Sequence, residues 1–491
     1  MSIDAEISRL ALSCTLLGYL GPTPPLWLLG ALEAGLGGVV LFGSNLGDGT
    51  GVAELTDRLR AAAGREIVIA LDEEGGDVTR LDTVRGSSSP GAAALGRLGN
   101  LAVTEEVHAA IGVRLARAGV TLDLAPVADV NLDPLNPVIG LRSFGDDAGA
   151  VAEQVAAAVR GVQRAGIAAC LKHFPGHGAT RADSHTEPAV LERSRAELAA
   201  GELLPFRAGI AAGARSVMIG HLLVPALDPD RIATVSPAIV TGLLRGELGF
   251  DGVVVSDALE MAALAGTLGM TEGFVQALVA GVDTLETGAQ DYPQLVQAIP
   301  SAVQDALRTG RLTEDRLVEA AERTARLAGA GNAGSPVGSA VPDGIESGCL
   351  EVLGTLPALH RPLVVECRTR PGVASGELPW SLIDELAGLL DGVDGLRVDR
   401  PVDGGELLRL AEGRSLVLLV RDPDREPWQR QLLEVAARHP DAVLVDAGWP
   451  TPAPPGLPVL RTRGIAPGLL RAAAAALAGR AAPRRREVDP V

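Results

Sequence analysis

One phrase, written seven times in the first 330 residues, limits the fold more than any other feature of this chain. Each copy is an Ala-rich amphipathic stretch, a glycine and a short apolar run. The copies are "EAGLGGVVLF", "AAAGREIVIALD", "RAGVTLDLAPVADV", "RAGIAACLKH", "AAGARSVMIGH", "LGFDGVVVSD" and "VAGVDTLETG". Glycine directly after a helix best adopts the left-handed cap. The apolar, β-branched run that follows reads as a strand buried on both faces. Strands alternating with helices predict parallel βα units. With an eighth strand in the N-terminal "LALSCTLLGYL", the units close a (β/α)8 TIM-type barrel of ordinary size. An open doubly wound sheet is the alternative, but no GxGxxG follows an early strand.

At 491 residues the chain exceeds a single ordinary core, so two domains are expected. Residues 328–344, "AGAGNAGSPVGSAVPDG", read as a linker between a barrel over 1–327 and a smaller C-terminal α/β domain over 345–491. In that second part "RPLVVECR", "SLVLLVRD" and "DAVLVDAGWP" look like strands, and the tail "GRAAPRRREVDP" like a frayed end. A net charge of -18 argues against a nucleic-acid partner, which needs clustered Lys and Arg. No apolar run reaches the roughly 18 residues of a membrane span. Asp4 and Glu6 stand where a signal peptide would be basic, so a cytoplasmic protein is expected, with a monomer as the working oligomeric state. Cys14, Cys170, Cys349 and Cys367 are scattered and read as reduced, buried small residues. Aromatic residues are only 2% of the chain, so a polar ligand must be held by hydrogen bonds and charge in a compact pocket.

Polar residues recur just after the apolar runs: Asp72, Asn131, Lys172 with His173, His221, and Asp257. Barrel enzymes build their sites at the C-terminal ends of several strands. Strands that merely end in polar residues would explain one or two of these, whereas five in register favour a site. Lys172 is the only lysine among 43 Lys and Arg residues, which suggests a place where a planar guanidinium does not fit. Three of the seven histidines follow it within "KHFPGHGATRADSH". Pro175, Gly176 and Gly178 make this a compact loop leaving a strand, and Asp183 is spaced to orient His185 near neutral pH. His173, His177, Asp183 and His185 could instead ligate zinc, although the spacing fits no zinc signature and Lys172 would repel a cation. A purely structural loop, with histidines bonded to carbonyls, is a third reading. Asp257 in "GVVVSDALEM" is either an N-cap for the next helix or, beside the histidine loop, a nucleophile.

These segments together resemble glycoside hydrolase family 3, specifically its β-N-acetylglucosaminidase (β-N-acetylhexosaminidase) branch. The resemblance covers roughly residues 1–330 and rests on "LDEEGGDVTRL", "NPVIGLRSFG", "KHFPGHGATRADSH", "SVMIGHLLVPALD" and "VVVSDALEM", in that order. It implies that Asp257 is the nucleophile and His185, oriented by Asp183, the acid/base. It further implies that Asp72, Arg80, Arg142, Lys172 and His173 hold the sugar in the first subsite. No metal or cofactor is implied. Two positions depart from the family: Asp77 stands where many members have Arg, and Ser44 where a basic residue is expected.

The implied activity is that of a retaining exo-β-N-acetylglucosaminidase acting on short soluble sugars such as peptidoglycan fragments, within cell-wall recycling. Retaining glycosidases place a nucleophile on one face of the sugar and a proton donor beside the leaving oxygen. An imidazole can serve as both acid and base without strong tuning. Because an imidazole, unlike a carboxylate, does not repel phosphate, a phosphorylase is the close competitor. A sugar-binding barrel that has lost catalysis is the non-enzymatic alternative.

Overall fold

The computed structural model describes residues 3–182, 189–330, 341–369, 372 and 374–480. The proposed linker, 328–344, falls mainly on 331–340, outside the described residues. Contacts divide the chain into two units, the first comprising Met1–Glu74, Leu101–Ile139 and Gly145–Val341. The second comprises Gly75–Asn100, Gly140–Phe144 and Pro342–Val491.

The first unit is a parallel barrel. Its strands are β1 (Thr15–Leu17), β2 (Gly38–Val40), β3 (Val68–Leu71), β4 (Leu122–Asp123), β5 (Ala168–Phe174), β6 (Ser216–Ile219), β7 (Val253–Ser256) and β8 (Leu285–Glu286). They run side by side in the order β7-β6-β5-β4-β3-β2-β1-β8. A parallel bridge between Val255 and Thr284 joins β7 to the residue before β8 and closes the ring. The eighth strand is β1, inside "LALSCTLLGYL" as the sequence suggests. All seven glycines of the repeated phrase, Gly35, Gly64, Gly119, Gly166, Gly213, Gly249 and Gly281, have φ between 63° and 117°. That region penalises any side chain with a Cβ, which explains the recurrence of glycine at each entry into a strand.

Side chains alternate between the faces of a strand. The inward face holds Leu16, Val40, Val68, Ala70, Leu122, Cys170, Met218, Val253 and Val255, packed with Leu327 and Ala328 at the end of helix Glu314–Ala328. Continuing the same parity to the C-terminal ends leads from Ala70 to Asp72, from Cys170 to Lys172 and from Val255 to Asp257. One face thus changes from apolar to ionisable at the strand tips, and the apolar layers beneath fix where those charges emerge.

The second unit holds a six-stranded sheet: β9 (Glu351–Leu353), β10 (Leu363–Cys367), β11 (Asp394–Val398), β12 (Leu416–Val420), β13 (Ala442–Asp446) and β14 (Val459–Arg461). The order is β9-β14-β13-β12-β10-β11, parallel except for β9. The fully buried runs of β10, β12 and β13 are the three strands read from the sequence.

His108 sits buried in helix Leu101–Arg117, with Nδ1 donating to the Thr104 carbonyl at 2.8 Å. Burial, opposed by that bond, pushes its imidazole down to about 4. The unfolded chain binds a proton at the ordinary value near 6.5 while the folded chain does not. Stability from this group is therefore present above that value and lost as the pH falls toward 4. Between pH 7 and pH 4, the wild type should lose about 3 kcal/mol more unfolding free energy than His108→Leu, read by urea denaturation. Parallel pH dependences would contradict the assignment.

Candidate active site

The barrel mouth is organised by the Lys172 ammonium. It is 1% exposed and lies 2.6 Å from Asp72 Oδ1 and 2.7 Å from Glu74 Oε1. Asp72 and Glu74 alternate along the segment leaving β3, so one strand tip supplies both carboxylates. Asp123, on β4, is fully buried, and its Oδ1 accepts the Glu73 N–H at 3.1 Å. Burial pushes the Asp123 carboxyl well above the ordinary range. Repulsion from Glu73 and Asp72 adds to this, and the Glu73 N–H and Lys172 offset it only in part.

The histidine loop is pinned from below by Asp129, which the sequence reading passed over in favour of Asn131. Asp129 Oδ1 accepts the backbone N–H groups of His173 (3.2 Å) and His177 (2.7 Å), and Oδ2 lies 2.7 Å from His173 Nδ1. A carboxylate only accepts, so His173 Nδ1 carries the proton. Burial alone would raise Asp129, but the charge and hydrogen bond of His173, with His177 behind them, hold it below the usual carboxylate range. Burial and then the neighbouring His173 push the His177 imidazole down to about 4, which makes it neutral at pH 7.

Asn136, from "NPVIG", ties the loop to the β4 side. Its amide donates to the carbonyls of His177 and Thr180, both at 2.9 Å, and its Oδ1 accepts from Val138 and Ile139. Gly178 is required by close approach, since a Cβ there would lie 1.7 Å from the Val130 carbonyl oxygen. Asp183 and His185 lie outside the described residues. The chain is described again at Ala189–Val190, paired with Leu222–Leu223 just beyond His221.

Asp257 follows β7 directly. Its N–H donates to the Ile219 carbonyl at 3.1 Å, and its Oδ1 accepts the Ala258 N–H at 2.8 Å. The next helix is Ala262–Leu268 with Met261 at its cap, so Asp257 is not an N-cap. His221, after β6, holds this turn: Nε2 donates to the Ala258 carbonyl at 3.0 Å, and Nδ1 lies 2.6 Å from Thr234 Oγ1. Among the described residues no group of three His, Cys, Asp or Glu is arranged to hold a metal ion.

Arg80 and Arg142 belong to the second unit. Arg80 Nη1 donates to the Ala374 carbonyl at 2.9 Å, and Arg142 ends the 3-10 turn Gly140–Arg142. Asp77 also belongs to this unit. Its carboxylate pairs with Arg421 and accepts the Ile465 N–H at 3.0 Å. Ser44 is exposed in the short helix Gly43–Leu46. Beside it, Asn45 does the structural work, donating to the carbonyls of Tyr19 and Gly21.

Residues 31–327 match the family model described as Glycosyl hydrolase family 3 N terminal domain. Beta-hexosaminidase A of Pseudoalteromonas piscicida is 34% identical over 318 residues, which are 60% of this chain and 53% of that protein. The chain thus spans about half the length of that relative. A beta-hexosaminidase of Stenotrophomonas maltophilia (strain K279a) is 40% identical over 276 residues, 54% of this chain and 79% of that protein. Among solved structures, a glycoside hydrolase family 3 beta-N-acetylglucosaminidase from Paenibacillus sp. str. FPU-7 superimposes with a TM-score of 0.88. It is 31% identical and covers 98% of this chain and 97% of its own. With the family model spanning more than half of its residues and a solved relative matching nearly all of them, the chain belongs to glycosyl hydrolase family 3.

Proposed function

We propose that this chain is a retaining, exo-acting β-N-acetylglucosaminidase that releases terminal GlcNAc from short soluble glycosides such as peptidoglycan fragments. The observation that carries the reading is the row of ionisable groups at the barrel's strand tips, Asp72, Lys172 and Asp257, in a chain whose relatives are named beta-hexosaminidases. Asp257 Oδ attacks the anomeric carbon, and the bond to the leaving oxygen breaks. His185 as imidazolium, oriented by Asp183, gives that oxygen its proton. The resulting glycosyl ester is opened by water, which yields its proton to the now neutral His185, and the Asp257 carboxylate is restored. Asp72, Lys172, His173, Arg80 and Arg142 are assigned to the sugar hydroxyls, with Lys172 acting as a point charge where a fork would crowd the ring.

Turnover of a nitrophenyl β-GlcNAc glycoside should proceed without phosphate and yield free sugar. A requirement for phosphate with a sugar phosphate product would replace hydrolysis by phosphorolysis. Asp257→Asn should lower kcat by about 10³-fold or more. His185→Ala should lose turnover that returns with a better leaving group or added azide. His221→Ala, which releases the Ala258 carbonyl beside the nucleophile, should reduce kcat about tenfold to a hundredfold with KM little changed. Unchanged kcat in that variant would remove His221 from the support of the site.

A further inference from the structure

Glu286 takes no step in that reaction, yet it occupies the tip of β8 beside the proposed nucleophile. The Val255–Thr284 bridge fixes the register of β7 against β8, so Asp257 and Glu286, two residues further on each strand, share the inward face as neighbours. The backbone of Glu286 also clamps the Asp257 turn on both sides. Its N–H donates to Ser256 Oγ at 3.2 Å, and its carbonyl accepts the Leu259 N–H at 2.9 Å. Glu286 is 5% exposed, and its Oε2 meets no hydrogen-bonding partner among the described residues.

The groups facing it are the carboxylates of Asp72, Asp257 and Glu260, the Lys172 ammonium and the Cys170 thiol. Burial, then the like charges of Asp72 and Asp257, push the Glu286 carboxyl well above its ordinary range. Lys172, already set between Asp72 and Glu74, offsets this only in part. Two carboxyl groups sharing one site do not both ionise cheaply, and the more deeply buried one keeps the proton. A neutral carboxyl is a donor, whereas a carboxylate only accepts.

We propose that Glu286 is a positioning residue for Asp257, a hydrogen-bond donor on the neighbouring strand that holds the nucleophile as an anion. This rests on the reading of Asp257 as nucleophile. The test follows the rate of covalent labelling by a slow fluorinated GlcNAc fluoride against pH, in wild type, Glu286→Gln and Glu286→Leu, with the labelled peptide mapped by mass spectrometry. Glu286→Gln retains a donor, and its acidic limb should coincide with that of the wild type whatever its maximum rate. Glu286→Leu removes the donor and should move the limb up by about one pH unit. A limb that falls by about a unit in Glu286→Gln would mean an ionised, repelling Glu286. A limb unmoved in Glu286→Leu would mean no coupling, and either result overturns the proposal. Should the leucine variant fail a thermal-melting check, Glu286→Met makes the same comparison. Label on a residue other than Asp257 ends the nucleophile reading itself, independently of what the Glu286 variants do.

Discussion

A buried ammonium is costly unless carboxylates meet it directly, and Lys172 meets two, Asp72 at 2.6 Å and Glu74 at 2.7 Å. Asp123, Asp257 and Glu286 act on the same barrel mouth, where among the described residues the acids outnumber Lys172. The imbalance sorts the carboxyl groups by surroundings. Asp72 and Glu74 take the direct contacts with Lys172, while burial and neighbouring like charges push Asp123 and Glu286 well above the ordinary carboxylate range, which Lys172 offsets only in part. A guanidinium would need room for a planar fork where the side chain is almost wholly enclosed. In a chain that otherwise uses arginine for every basic residue, that enclosure accounts for the one lysine.

Asp129 plays the complementary part for the histidine loop. Three N–H donors converge on it, two from backbone and one from His173, so the start of the loop is fixed from the β4 side as well as by its own turn. Asn136 repeats the device one layer out, donating to the loop carbonyls of His177 and Thr180. The "PGHG" segment can press this closely because Gly178 has no side chain to meet the Val130 carbonyl. The course of the backbone in this region is therefore set by close backbone contact.

The barrel was legible because its signals are local: a cap glycine has to precede each buried run, and strand parity carries apolar residues to an ionisable tip. What stayed hidden depended on contacts distant in sequence. Asp129 sits inside "LAPVADV" with nothing nearby to distinguish it from Asn131, and only the fold brings His173 and His177 to it. Glu74 had a readable cue, its spacing of two from Asp72 on one extended segment, which places both on one face. Glu286 in "DTLETG" looks like the polar end of a short strand until the β7–β8 register sets it beside Asp257. In the second unit, β11 (Asp394–Val398) escaped notice because it is a largely exposed edge strand bearing Asp394 and Arg397, without an apolar run.

Asp77 shows how a departure from a family pattern can be structural rather than chemical. Where the resemblance leads one to expect arginine, this chain has an acid whose two oxygens serve Arg421 and the Ile465 N–H, both in the C-terminal part of the second unit. Arginine there would place a second guanidinium against Arg421 and leave the Ile465 N–H without its acceptor. The acid and its partners thus form one matched set. Asp77 and its partners Arg421 and Ile465 all lie within the second unit. Asp77 therefore bears on the path of the loop that continues to Arg80, whose own guanidinium donates to the Ala374 carbonyl.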